Sequence, residues 1–98
     1  MELVGEGAIE RFRDVLGPTD ASAAKVEAPG TLRAYFGSDT MRNAIHGSAS
    51  ATAYEKERGL FFSNAFGPTA AFNNNTCAVI KPHIIQDGLA GQVIDMIL

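Results

Sequence analysis

The stretch Arg42-Asn43-Ala44-Ile45-His46-Gly47-Ser48 (RNAIHGS) holds one of the two histidines in this 98-residue chain. Thr40 to Ile45 reads as a strand ending at His46-Gly47, after which Ser48 or Ser50 caps a helix running to about Phe62. The apolar stripe of that helix is Ala53, Leu60 and Phe61, and Glu57 falls on the same stripe. An inward-facing carboxylate is costly unless it finds a partner. The turn between strand and helix lets Glu57 fold back to His46. A carboxylate that fixes one imidazole nitrogen leaves the other free as a nucleophile or base. The residues alone leave that reading open, because a histidine beside a glycine is also an ordinary turn residue.

Upstream, Met1 to Gly5 reads as a short strand. Ala8, Ile9, Phe12, Val15 and Leu16 recur at spacings of three and four, which marks an amphipathic helix stopped by Gly17-Pro18. Residues 17–31 are too rich in Gly, Pro, Ala and Thr for a regular element and read as a long loop, and 32–37 (LRAYFG) is apolar enough to pack down again. Downstream, residues 63–75 around Gly67-Pro68 read as a linker. Thr76 to Ile80 is a continuous β-favouring run suited to a buried strand, which Lys81-Pro82 ends. Ile85, Leu89, Val93 and Ile97, four apart, predict one final helix. Both ends read as cut inside secondary structure, so the expectation is a piece of a longer protein.

Composition narrows the classes. Apolar residues make up 46% and charged residues 19%, so a packed core is expected and disorder is not. A net charge of −3 argues against a general DNA binder, and no apolar run approaches a membrane span. Cys77 is the only cysteine, which fits a reducing, cytoplasmic compartment. Asn74-Asn75-Thr76 matches a glycosylation sequon but lies in a polar linker without a secretory signal. There is no Walker-type glycine loop and no cysteine pair. His46 and His83 are too isolated to predict metal ligands. Arg13, Arg33 and Lys81 stand at the ends of predicted elements, where they suit phosphate oxygens or, equally, solvated surface; Arg13 also suits a helix C-terminus.

Together, RNAIHGS, the preceding PGTLRAYFG and the earlier LGPTDA resemble the nucleoside diphosphate kinases, whose Arg-Asn-x-x-His-Gly-Ser segment carries a phosphorylated histidine. The resemblance runs from about Leu3 to Phe62. A second one begins near Asn75, where TCAVIKPHIIQDGLAGQVIDMI is similar to the first strand and helix of such a domain. The order is therefore inverted and most resembles the two-domain, seventh branch of the family, linked to centrosomal γ-tubulin complexes and ciliary doublet microtubules.

The resemblance implies an α/β fold, the α+β ferredoxin-like kind of these kinases, incomplete or rearranged. It divides the chain into residues 1–66 (the C-terminal part of one domain), 67–75 (linker) and 76–98 (the opening of a second or permuted domain). It implies phosphoryl transfer between nucleoside tri- and diphosphates, with Mg²⁺, through His46. Glu57 and Ser48 would orient that ring, and Arg13, Thr19, Arg33 and Asn43 would contact phosphate or ribose. Lys81 matches the phosphate-contacting lysine of the following domain; if 76–98 folds back as a permuted substitute, it comes beside His46. Departures are Ala49 where an acidic residue is common, His83 in place of Asp, and the absence of the elements that clamp the base. The isolated chain is accordingly expected to be inactive without a longer parent. The alternative is a non-catalytic component of microtubule assemblies, with tubulin or ciliary partners in the cilium, axoneme or centrosome.

Overall fold

The structure, a computed structural model, describes residues 1–62 and 74–98. In chain order the elements are β1 (Glu2–Val4), α1 (Ala8–Leu16), α2 (Ala21–Glu27), α3 (Leu32–Phe36), β2 (Ile45–Gly47), α4 (Ala51–Phe61), β3 (Asn75–Ile80), α5 (Pro82–Gln86) and α6 (Ala90–Ile97). The strands form one antiparallel sheet in the order β1-β3-β2. Glu2 lies opposite Cys77 on one side of β3, and His46 lies opposite Val79 on the other. Residues 75–98 thus supply the central strand, and β1 and β2 meet only through it. Most of the expected linker, residues 63–73, falls outside the described residues.

One cluster forms the core: Phe12 and Leu16 of α1, Leu32 of α3, Ala44 and Ile45, Ala78 of β3, Ile84 of α5 and Val93 of α6. Burying a large aliphatic or aromatic side chain contributes about 1.5–3 kcal/mol. These eight residues, drawn from six elements and the residue preceding β2, are therefore what fastens the helices to the sheet. At Gly47, α1 packs tightly against β2. A Cβ there would sit 2.7 Å from Phe12 Cδ1 and 2.9 Å from Leu16 Cδ1, so no larger residue fits without repacking.

Several expectations are corrected. Residues 17–31 are not one irregular loop. Asp20 caps α2 by accepting a hydrogen bond from the Ser22 amide (2.9 Å), and Ala21 and Ala24 are fully buried. A face built of alanines gives little hydrophobic signal, yet it lets α2 approach α3 closely. The strand expected over Thr40–Ile45 is shorter and later. The Asp39 carboxylate takes the amides of Met41 and Arg42 (both 2.8 Å), and Ser38 bonds to the Arg42 carbonyl, so this segment turns instead of pairing. These two amide bonds hold the Asp39 carboxyl below the usual carboxylate range.

The helix after His46 forms as expected, with Ser50 as the cap accepting from the Ala53 amide (3.1 Å). Its inward face is different. Leu60 and Phe61 are exposed, and Tyr54 is the buried residue, its hydroxyl donating to Glu2 Oε1 (2.8 Å) and accepting from Asn75 Nδ2 (3.1 Å). The final segment is two helices, not one. Gly88 adopts φ 71°, and the bonds Gly88 N–H to Ile85 O and Leu89 N–H to Ile84 O close α5 before α6 begins. Ile84 and Val93 face the core in consequence, and Ile85 is exposed.

Candidate functional site

Local geometry presents His46. Asn43, Ala44 and Ile45 make a tight γ-turn: the Ile45 amide bonds to the Asn43 carbonyl (2.9 Å), and Ala44 has φ 73°. A non-glycine residue in that region is strained by about 1–3 kcal/mol and persists only where its surroundings fix it. Ala44 is fully buried, and its carbonyl accepts from the Lys81 amide (2.9 Å). No pattern of residue types in the sequence signals this turn.

His46 Nε2 lies 2.9 Å from Glu57 Oε1, and Ser48 Oγ donates to Glu57 Oε2 at 2.7 Å. Ser48 is fully buried, and its Oγ also accepts from the Cys77 amide of β3 (3.1 Å). The chain of contacts from β3 backbone to Ser48 to Glu57 to imidazole fixes the ring from behind. With Nε2–H donating to the carboxylate, Nδ1 is the nitrogen that keeps a lone pair. The His46 side chain is 44% exposed and that of Glu57 23%, so the ring stays accessible while its partner is sheltered.

His46 lines a groove of about 550 Å³ together with Arg13, Thr19, Arg33, Asn43 and Lys81, among others. Arg13 donates to the Ala49 carbonyl (3.2 Å). Arg33 donates from Nη1 to the Gly17 carbonyl (2.9 Å), and its Nε is buried with no partner. Asn43 Nδ2 donates to the Thr19 carbonyl (2.9 Å), and Asn43 Oδ1 and the Met41 carbonyl accept from Lys81 Nζ. Burial, with Arg13 nearby, lowers the Arg33 pKa, and burial, with Arg33 nearby, lowers that of Lys81 against the opposing pull of Asp39. Packing three cations this closely is unfavourable until an anion enters.

All eight residues singled out in the sequence converge on this groove or on the contacts that support it. Lys81, which the resemblance gives to a following domain, shares the groove with His46. The Cys77 amide and the Ala44 turn were missed by sequence reasoning, because backbone groups leave no residue-type signature. His83 sits in the first turn of α5 with Nε2 buried and unpartnered, away from the groove lining. Among the described residues no three His, Cys, Asp or Glu side chains cluster as metal ligands.

His46, held by Glu57, faces a groove lined by Arg13, Arg33 and Lys81 on a mixed α/β frame, and comparison with known proteins places that frame. The family model described as "Nucleoside diphosphate kinase" matches residues 1–66, and the chain belongs to that family. It is 44% identical to nucleoside diphosphate kinase homolog 7 of Rattus norvegicus and 41% identical to that of Mus musculus, each match covering 96% of this chain and 25% of the relative. The chain therefore spans about a quarter of the length of these curated relatives. A crystal structure of the Aquifex aeolicus nucleoside diphosphate kinase superposes with a TM-score of 0.59 at 45% identity, covering 61% of this chain and 43% of the other. The fold is thus a nucleoside diphosphate kinase fold in incomplete form.

Proposed function

We propose that this chain carries the phosphoryl-relay site of a nucleoside diphosphate kinase, moving the terminal phosphoryl of a nucleoside triphosphate to a diphosphate through His46. The observation that supports it most directly is the contact of Glu57 with Nε2 (2.9 Å), which leaves Nδ1 as the nucleophile. Nδ1 attacks the γ-phosphorus, the N–P bond forms, and the bond from phosphorus to the β,γ-bridging oxygen breaks to release the diphosphate. Both ring nitrogens are then substituted, and the positive charge on the ring is balanced by Glu57 through the retained Nε2–H. The reverse attack by an oxygen of a second nucleoside diphosphate returns the ring to its starting state.

Little covalent chemistry is asked of the protein, so placement and charge supply the rate. Arg13, Arg33 and Lys81 are in position to neutralise phosphate oxygens, with Thr19 and Asn43 bounding the same groove. The missing cage of acidic ligands means that the described residues do not fit a protein-held Mg²⁺. Mg²⁺ instead enters as part of the substrate, bound to the nucleotide phosphates.

The test is incubation with [γ-³²P]ATP. Acid-labile, alkali-stable label on a longer protein that contains this chain, and none on its His46→Ala form, is expected. Absence of label on the wild type, both as this chain and within a full-length protein that contains it, overturns the proposal.

A further inference from the structure

We infer that Glu2 is a positioning residue of the His46 site: through Tyr54 and Arg58 it fixes the rotation of α4 about its own axis, and with it the approach of Glu57 to the imidazole. The inference rests on the phosphoryl-relay reading of that site. It starts from how little else holds α4. Tyr54 is the one buried residue of this helix, and Leu60 and Phe61 are 77% and 54% exposed. A helix without an apolar stripe against the sheet has no interlocking side chains to set its rotation.

One carboxylate docks α4 instead. Glu2 Oε1, on β1, accepts from the Tyr54 hydroxyl (2.8 Å) and from Arg58 Nε (3.0 Å). The Glu2 side chain is 14% exposed and that of Arg58 30%, so both bonds are sheltered from water, and the one to Arg58 is an ion pair. Asn75 Nδ2 also donates to the Tyr54 hydroxyl (3.1 Å), which ties the network to β3. Tyr54, Glu57 and Arg58 stand at i, i+3 and i+4, so Glu57 lies on the face that Glu2 holds. Two donors from successive turns, converging on one fixed oxygen, oppose both rolling and sliding of the helix.

The tolerance is small. With its side chains a helix is about 5–6 Å in radius, so a roll of about 10° carries a side-chain tip about 1 Å. The His46–Glu57 contact is 2.9 Å, and a displacement of that size spoils its alignment. Misplacement by about 1 Å can cost about 100-fold in rate. Ser48 still holds the other oxygen of Glu57 at 2.7 Å, which limits the loss, so removal of Glu2 should cost about tenfold. Cys77, whose amide seats Ser48, lies opposite Glu2 in the ladder, so α4 and the Glu57 carboxylate are fastened at the same level of the sheet.

The test uses a longer protein that contains this chain, carrying ring-¹⁵N histidine. With the ring neutral, the wild-type His46 nitrogens should report a single tautomer, Nε2–H. Glu2→Leu should give a mixture of tautomers and slow phosphohistidine labelling about tenfold, while Glu2→Gln, which keeps an acceptor oxygen, should restore most of both. With Glu57→Ala already present, Glu2→Leu should slow labelling no further, because its effect runs through Glu57. Should Glu2→Leu not fold, Tyr54→Phe, which keeps the buried ring and loses the hydroxyl, should shift the tautomer in the same direction. A folded Glu2→Leu or Tyr54→Phe protein with the wild-type tautomer and rate, or additive losses in the Glu57→Ala background, overturns the inference. A wild type that takes no label overturns the phosphoryl-relay reading alone, and the tautomer comparison still decides the role of Glu2.

Discussion

Replacing Ser48 by alanine removes one oxygen and breaks the side-chain path from the Cys77 amide through Glu57 to the His46 ring. Ser48 is fully buried and its Oγ serves two partners, the Cys77 amide at 3.1 Å and Glu57 Oε2 at 2.7 Å. Cys77 is also fully buried, so its amide would be left without a partner, at a cost of about 1–3 kcal/mol. The bond to Glu57 is charge-assisted. With the carboxylate 23% exposed, however, water can replace it, so its loss adds only about 1 kcal/mol. The total of about 2–4 kcal/mol is a large share of the 5–15 kcal/mol that holds a typical domain together. For a domain of this size it should lower Tm by roughly 10–25 °C. Urea unfolding followed by circular dichroism measures the loss, and histidine labelling at a temperature where both forms are folded measures the positioning effect. Ser50→Ala, which removes only the cap of α4, is the comparison and should cost about 1 kcal/mol without changing the label. A Ser48→Ala chain within about 0.5 kcal/mol of wild type would show that the Cys77 amide is not sealed by Ser48, and the reasoning would fail.

Three further outcomes follow from the geometry. Glu57→Gln keeps the shape and most of the bonds, so stability should change by less than about 1 kcal/mol, while phosphohistidine formation should fall roughly tenfold or more because the charged ring loses its ionic partner; unchanged labelling kinetics would contradict this. Lys81 has a folded pKa below its ordinary 10.5, so between that lowered value and 10.5 the native state has given up a proton that the unfolded chain still holds. In that window stability rises with pH while the groove loses a cation. Labelling should therefore decline at a lower pH than an ordinary lysine would give, and Lys81→Arg should move the decline upward. Gly47→Ala places a methyl against Phe12 and Leu16 and should cost about 1–3 kcal/mol in urea unfolding, against little change if α1 can shift.

The contact between Glu57 and His46 was legible in the sequence, and for a physical reason. Glu57 on the inward side of a helix is an anomaly that needs a partner, and the single strand–turn–helix return leaves His46 as the group within reach. Tyr54 was missed beside it because a phenol that buries its ring and bonds through its hydroxyl has neither a clear apolar nor a clear polar signature. The stripe of Leu60 and Phe61 was read as core because their spacing fits a helix face, although the face that meets β3 is largely polar. In α2 the contact is made by alanines, which are too small to register in a periodicity of large residues. Gly88 lies between two hydrophobic runs whose spacing is continuous across it, so the sequence conceals the break that the left-handed backbone makes.

Sheet order is not written in chain order, and the central place of β3 carries a consequence for how the protein is made. A ribosome releases β1 and β2 long before Asn75–Ile80, and until that strand arrives neither has a ladder partner in this sheet. The γ-turn at Ala44 likewise has to wait for the Lys81 amide, and Ser48 for the Cys77 amide. Residues 1–62 without Asn75–Ile80 should therefore hold helices α1 to α4 over an unformed sheet, exposing apolar surface. Closure of the sheet then depends on long-range contacts, whose loop-closure cost slows folding.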